Sequence, residues 1–165
     1  MKNKLIGLYG ASSSGKSTVA KLIQHKIPSF DILAYGDIVK KIAEILYHIP
    51  FDKWQDRSFK AKYRSLLEVL GINLKNIHPG IIIEALTTDL RGNNIIGDVR
   101  TLDEARDIHY RNGKLILIRR DVVEPDNIIE DVPLGMFDYV IYNDGSIDEL
   151  ENKVNEMIAI FGYKY

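Results

Sequence analysis

The sequence predicts an α/β protein with three layers, in which helices cover both faces of a mainly parallel five-stranded sheet. Two observations lead to this prediction. Short, continuously apolar segments of strand length alternate along the chain with segments whose apolar residues recur at helical spacing. The strands are also short and apolar enough to be buried, which is typical of parallel sheets covered on both faces.

The predicted strands share an apolar composition and a length of four to six residues. They are 5–9, 30–35, 94–98, 115–118 and 137–142. The predicted helices cover 17–27, 36–49, a segment that begins within 51–64 and ends before Gly71, 79–90, 101–111 and 146–160. Capping boxes begin the last two helices, and proline or glycine ends most of them. Residues 121–136 are predicted to form a loop or short lid.

Composition excludes several classes of protein. Twenty-two Lys and Arg residues against twenty-three Asp and Glu residues give a net charge of -1, which argues against a nucleic-acid or polybasic membrane partner. The chain has no cysteine, which excludes disulfides, thiolate zinc sites and thiol nucleophiles. No apolar run approaches the ~20 residues of a membrane span. We therefore expect a cytoplasmic protein without a membrane or nucleic-acid partner.

The strongest motif is the phosphate loop, Gly10 to Ser17, which fits the pattern G-x-x-x-x-G-K-[ST] between a predicted strand and a predicted helix. Its glycines let successive backbone N–H groups face one concavity at the positive end of the helix. Lys16 is expected to reach the β- and γ-phosphates and Ser17 to ligate Mg²⁺. The residues expected to bind ATP are Gly10, Ala11, Ser13, Ser14, Gly15, Lys16, Ser17 and Thr18.

The remaining motifs, present or missing, restrict the class of reaction that the phosphate loop can serve. The base-reading motif of GTPases is missing, because the nearest match, 152–155, lacks its aspartate and lies in the last helix. A mechanical ATPase usually has an acidic pair at the end of its sensing strand, whereas Val99 and Arg100 follow Asp98 here. Later arginines at positions 64, 100, 119 and 120 suit phosphoryl transfer between two small molecules.

Asp98 and Arg100 lie at the carboxyl end of the third predicted strand, at the edge where the phosphate loop is expected. Asp98 could hold Mg²⁺ through water or accept a hydrogen bond from the phosphate acceptor, and Arg100 could hold the acceptor's phosphate. The alternative is an ion pair at a helix start. Glu104, one turn further on, is interpreted equally as a helix cap or as a substrate contact.

In these residues the chain resembles the tailed-phage deoxynucleoside monophosphate kinases, a branch of the P-loop nucleoside monophosphate kinases. The matching blocks are 10–18, 34–40, 64–71, 98–106, 115–119 and 138–150, the last around the Asn143 to Ser146 turn. The resemblance implies ATP at the phosphate loop, a nucleoside monophosphate on Arg64, Asp98, Arg100 and Glu104, and Arg119 at the base of the lid near the transferring phosphate. Ser65, Glu68 and Ile72-Asn73 depart from the family pattern and leave base specificity open.

Several candidates keep two interpretations. The aromatic and basic segment 51–64 could stack a nucleobase or could form an amphipathic helix with core aromatics. Asp37 and Lys40 could bind substrate; the alternative is that Asp37 is a helix N-cap and Lys40 a surface lysine. Arg119 or Arg120 could swing onto the phosphates; the alternative is that both are exposed arginines at the end of a strand.

The sequence thus predicts a single P-loop kinase domain over 1–165, with an acceptor-binding helical insert at about 37–90 and a lid at about 119–136. The expected catalytic residues are Lys16, Arg100 and Arg119, and the expected Mg²⁺ ligands are Ser17 and Asp98. The expected acceptor-binding residues are Asp37, Lys40, Arg64, Asp98, Arg100, Glu104 and Arg120. The expected reaction is ATP-dependent phosphorylation of a (deoxy)nucleoside monophosphate. Two alternative functions stay open: a kinase for a phosphorylated metabolite such as phosphomevalonate, and a regulatory ATPase module. Whether the protein forms a homodimer also stays open.

Overall fold

The computed structural model describes residues 3–88, 90–121 and 132–163. The chain divides into two compact units. The first comprises Met1–Leu33 and Arg91–Tyr165, and the second is Ala34–Leu90. The predicted helical insert, about 37–90, falls within the second unit.

The elements alternate between strand and helix in the first unit, and the second unit is helical. In chain order they are β1 (Leu5–Tyr9), α1 (Lys16–Lys26), β2 (Phe30–Leu33), α2 (Tyr35–Tyr47), α3 (Arg57–Lys62), α4 (Arg64–Ile77), α5 (Ile81–Thr87), β3 (Asn93–Val99), α6 (Leu102–Tyr110), β4 (Lys114–Arg119), β5 (Tyr139–Tyr142) and α7 (Ile147–Ile160). Short 3₁₀ helices lie at Phe51–Gln55 and Leu134–Met136.

The five strands form one sheet in the order β2-β3-β1-β4-β5, and every pairing is parallel. This confirms the predicted α/β fold. The residues of β1 are buried along its whole length. Because the strands run parallel, the carboxyl ends of β1, β3, β4 and β5 meet at one edge, where ligands bind in open parallel sheets.

Helices lie on both faces of the sheet. On one face, α1 and α7 pack over apolar strand residues, with Val19, Ile23, Val154 and Met157 fully buried. On the other face, α6 packs on β1 and β4. A Cβ at Gly7 would lie 2.9 Å from Cγ1 of Ile108, so glycine lets this helix approach the strand closely.

Asp138, which precedes β5, connects α6 and β4 at the edge of the sheet opposite the carboxyl ends of the strands. Its carboxylate accepts hydrogen bonds from Lys114 Nζ at 2.7 Å, the Leu115 N–H at 2.8 Å and His109 Nε2 at 3.2 Å. Partial burial opposes ionisation, but these bonds outweigh it and lower the pKa of Asp138. The same carboxylate adds to burial in raising the pKa of Tyr163 to about 12.

The second unit contains an aromatic cluster. Trp54 is buried, and its ring lies edge-on to Phe59 and Tyr63 at centroid distances of 5.3 and 6.4 Å. Phe59 and Tyr63 also contact each other at 4.7 Å. This packing favours the core interpretation of segment 51–64 over a base-stacking surface.

The predicted helix end at Gly71 is wrong, because α4 continues to Ile77. A glycine ends a helix when it adopts positive φ, and Gly71 does not. His78 adopts an extended backbone and precedes Pro79, which disfavours helical φ and ψ in the residue before it.

Within the described ranges, no single helix is long and apolar enough to cross a bilayer. The pair α4 and α5 reaches that length and composition only together, and it is bent by 97° at the break.

Candidate active site

The phosphate loop joins β1 to α1 at the carboxyl edge of the sheet. Gly10 has φ +152° and Gly15 has φ +106°, conformations that L side chains rarely adopt. A Cβ at Gly10 would lie 2.3 Å from the backbone oxygen of Ile118. The motif glycines are therefore required by backbone shape and by the close approach of β4.

The N-cap of α1 is Gly15, which has no side chain to cap the helix, and the first turn contains no acidic residue. Helices α6 and α7 begin differently, since Thr101 with Glu104 and Ser146 with Glu149 form capping boxes. A helix start without a side-chain cap presents N–H groups and the positive end of its dipole to an anion. The loop and α1 therefore suit a phosphate.

Lys16 places its ammonium over the loop. Nζ donates hydrogen bonds to the carbonyls of Gly10 at 2.5 Å and Ala11 at 2.6 Å. Ser17 is exposed and Thr18 is half-buried. A cation and a hydroxyl thus follow the loop, where the motif predicts contact with phosphate oxygens and Mg²⁺.

Two loop serines have contrasting environments. Ser13 is exposed and adopts φ +63°, which is uncommon for a residue with a side chain. Ser14 is only 1% exposed, and its Oγ has no hydrogen-bond partner among the described residues. The backbone N–H of Ser14 donates to the Ala11 carbonyl at 3.2 Å, which closes the turn.

Asn143, which the sequence analysis did not place among the site residues, contacts the phosphate loop. Its Nδ2 donates to the carbonyl of Ser14 at 2.8 Å across 129 residues of sequence. Its backbone N–H donates to the Arg119 carbonyl at 2.7 Å. The available signal was its position directly after β5, because the ends of parallel strands share one edge.

The end of β3 lies beside the phosphate loop. Tyr9, the last residue of β1, is in register with Val99, and an irregularity between Gly7 and Tyr9 puts one extra residue on β3. Such bulges re-aim neighbouring side chains. Asp98 and Arg100, both half-buried, flank Val99 at this point.

Glu104 is 4% exposed and works as a helix cap. Its Oε2 accepts hydrogen bonds from the backbone N–H groups of Arg100 at 2.7 Å and Thr101 at 3.1 Å. This geometry favours the capping interpretation over a substrate contact, and it fixes the backbone that carries the Arg100 side chain.

A cavity of roughly 340 Å³ opens next to the phosphate loop in the first unit. Its lining residues are Tyr9, Gly10, Ala11, Leu117, Ile118, Arg119, Arg120 and Asp121. Arg119 is half-exposed, with Nε 3.7 Å from Asp121 Oδ1. The structure thus brings both predicted lid arginines to the phosphate loop, while residues 122–131 of the predicted lid lie outside the described residues.

The other predicted acceptor residues belong to the second unit. The Asp37 carboxylate pairs with Lys40 Nζ at 2.5 Å within α2, and the Arg64 guanidinium pairs with Glu68 at 3.0 Å within α4. The N-cap interpretation of Asp37 is wrong, because α2 begins at Tyr35 and its N-cap is Ala34.

No group of three or more His, Cys, Asp or Glu side chains in the described part of the chain could hold a metal ion. The predicted Mg²⁺ ligands, Ser17 and Asp98, carry a hydroxyl oxygen and carboxylate oxygens. Such hard donors suit Mg²⁺, which protein sites commonly bind through one or two side chains together with substrate phosphates.

No protein-family model matches this sequence, and the search of curated proteins found no match. Solved structures are similar in fold. The dephospho-CoA kinase from Campylobacter jejuni and the Mycobacterium tuberculosis APS kinase in complex with AMPPNP and APS each show 15% identity, cover 98% of both chains and give a TM-score of 0.53. A gluconokinase from Sinorhizobium meliloti shows 12% identity over 97% of this chain and 93% of its own, with a TM-score of 0.51.

These likenesses show that the chain has the P-loop kinase fold. They confirm the predicted fold and do not support the phage deoxynucleoside monophosphate kinase branch in particular.

Proposed function

We propose that the protein is an ATP-dependent kinase of a small phosphorylated molecule, and that its acceptor is a (deoxy)nucleoside monophosphate. The observation that carries this proposal is the cavity in which Arg119 and Arg120 adjoin Gly10 and Ala11 of the phosphate loop. A phosphate-binding loop that shares a cavity with two arginines suits transfer of a group whose negative charge is spread over several oxygens. The fold likeness to APS kinase and dephospho-CoA kinase supports the same class of reaction.

In the proposed reaction, an oxygen of the acceptor's phosphate attacks the γ-phosphorus of ATP. The bond from this phosphorus to the β–γ bridging oxygen breaks, giving ADP and the diphosphate. The phosphate loop and Lys16 hold the β- and γ-phosphates, and Arg119 stabilises charge on the transferring group. Mg²⁺, when bound by Ser17 and Asp98 with ATP, neutralises part of the phosphate charge.

Acceptor binding is proposed for Asp98 and Arg100 of the first unit, while substrate roles for Asp37, Lys40 and Arg64 of the second unit stay predictions. Guanidinium groups bind phosphate through paired hydrogen bonds, which orient the acceptor as well as attract it. The capping role of Glu104 removes it from this proposed set. No strong general base is needed, because the acceptor phosphate is itself the nucleophile.

A coupled assay of ADP release across nucleoside monophosphates, phosphorylated alcohols and sugar acids tests the proposal. We expect one or more nucleoside monophosphates to stimulate ADP release. Stimulation only by a non-nucleotide would favour the alternative acceptor class, which the likeness to a gluconokinase keeps in view. ADP release that no acceptor stimulates would favour a regulatory ATPase module.

The Lys16→Ala variant tests the role of the phosphate loop in the same assay. We expect acceptor-stimulated ADP release to fall about 100-fold or more, since one charged contact to the transferring phosphates is lost. Lys21→Ala, an exposed lysine on α1, is the matched control and should keep wild-type activity. Equal rates for both variants would remove Lys16 from the mechanism.

A further inference from the structure

The turn after β5 connects three parts of the site. Asn143 Nδ2 donates to the Ser14 carbonyl, and the Asn143 N–H donates to the Arg119 carbonyl. In the next residue, Asp144 Oδ1 accepts from the backbone N–H of Asp121 at 2.8 Å. One short turn therefore contacts the phosphate loop and the chain on both sides of Arg120.

The hydrogen bond from Asn143 to the Ser14 carbonyl determines the direction in which the Gly15 N–H points. A trans peptide holds its C=O and the following N–H on opposite sides, so a Ser14 carbonyl that faces Asn143 turns the Gly15 N–H away from it. Asn143 also packs closely on Gly15, because a Cβ there would lie 2.3 Å from Nδ2. The amide of Asn143 thus fixes the peptide plane between the last two residues before α1.

We propose that Asn143 is a positioning residue of the phosphate loop, which sets the direction of the Gly15 N–H toward the donor's polyphosphate. This inference rests on the nucleotide binding in the proposed function and adds a residue outside the motif. Asn143 acts through Ser14 and Gly15 and does not contact the reacting atoms. Its own position is fixed by the Arg119 carbonyl, so the loop and the end of β4 are aligned by one side chain.

Tripolyphosphate with Mg²⁺ is the probe, because it contacts the loop without a base, a sugar or an acceptor. Calorimetric titration of Asn143→Ala should show a Kd raised about fivefold or more, as expected for a lost hydrogen bond that orients a donor. Asn143→Asp should weaken binding further, since it adds a negative charge beside the phosphates. In kinase assays, the KM for ATP should rise while the acceptor KM stays within about twofold, the split expected of a donor-side residue.

Two control variants separate positioning from stability and from charge. Ser146→Ala removes the cap of α7 from the same turn, and it should lower the melting temperature without changing the tripolyphosphate Kd. Asn152→Asp adds the same charge at an exposed position of α7 and should leave both quantities unchanged.

Wild-type affinity for tripolyphosphate in Asn143→Ala would overturn the inference, as would an equal loss of affinity in Ser146→Ala. A wild-type chain that does not bind tripolyphosphate would overturn it too. A wild-type chain that binds tripolyphosphate but phosphorylates no acceptor would contradict the proposed function. The role of Asn143 would then be decided by the tripolyphosphate Kd of Asn143→Ala.

Discussion

Glycine positions in this protein differ in what a side chain would encounter. A Cβ at Gly10 would meet a backbone oxygen at 2.3 Å in a backbone conformation with φ +152°. Gly92 has φ +70° with open space around it, and Gly135 has open space and no left-handed conformation. Substitutions at the three positions can therefore distinguish the free-energy cost of backbone strain from that of steric overlap.

Alanine at each of these glycines gives a graded prediction. Gly135→Ala should change the free energy of unfolding by less than about 0.5 kcal/mol. Gly92→Ala should cost about 1–2 kcal/mol from left-handed strain. Gly10→Ala should cost more than about 2 kcal/mol, because overlap is added to strain. Urea denaturation measures all three, and equal losses at positions 10 and 92 would show that β4 yields to the added methyl group.

The residues of the phosphate loop were predictable because they are contiguous and each type has one chemical role there. Asn143 was not, since its contact with Ser14 spans 129 residues and depends on β4 and β5 lying next to each other. Glu104 shows the same limit in another form. The sequence allowed a cap or a substrate contact, and only the burial and hydrogen bonds of the carboxylate favour the cap.

At the scale of elements, two capping boxes of the same design begin α6 and α7, and they differ in burial. Glu104 is buried and accepts from two backbone N–H groups, whereas Glu149 is exposed and accepts from Ser146 N–H at 3.0 Å. The pair offers an internal comparison between capping and substrate binding.

Glu104→Gln keeps an acceptor oxygen for the cap and removes the charge. We expect it to lower the free energy of unfolding by about 1 kcal/mol, because hydrogen bonds to charged groups are stronger, and to leave the acceptor KM within about twofold. Glu149→Gln should cost less, since its carboxylate is exposed. Urea denaturation and initial rates measure the two quantities, and a large rise in acceptor KM with unchanged stability would make Glu104 a substrate contact.

The helices of the second unit were harder to predict than the strands. Strand β1 of the first unit is an apolar run that is buried along its whole length, so its composition alone identifies it. Helix α4 has no buried residue, and the end predicted at Gly71 relied on a local signal that the backbone does not use. The residue before Pro79 ends this helix instead, because a proline restricts its predecessor wherever it occurs.

At the scale of the whole molecule, burial is distributed unequally between the two units. All five residues of β1 are buried, and Val19, Ala20 and Ile23 of α1 lie in the same core. In the second unit, α4 is fourteen residues long and has no buried residue. The alternation of strands and helices predicted the first unit, whereas the sequence contained no comparable pattern for how tightly the second unit packs.

Native-state hydrogen exchange should reproduce this inequality. Opening that exposes the amides of β1 disrupts the sheet core and approaches global unfolding, whereas α4 can open with little loss of buried apolar surface. We expect amides of α4 to exchange on the order of 100 times faster than those of β1 under conditions where opening is at equilibrium. Helix α1, which is also amphipathic but has three buried residues, is the matched control and should exchange slowly. Exchange in α4 as slow as in β1 would contradict the expected difference in local stability.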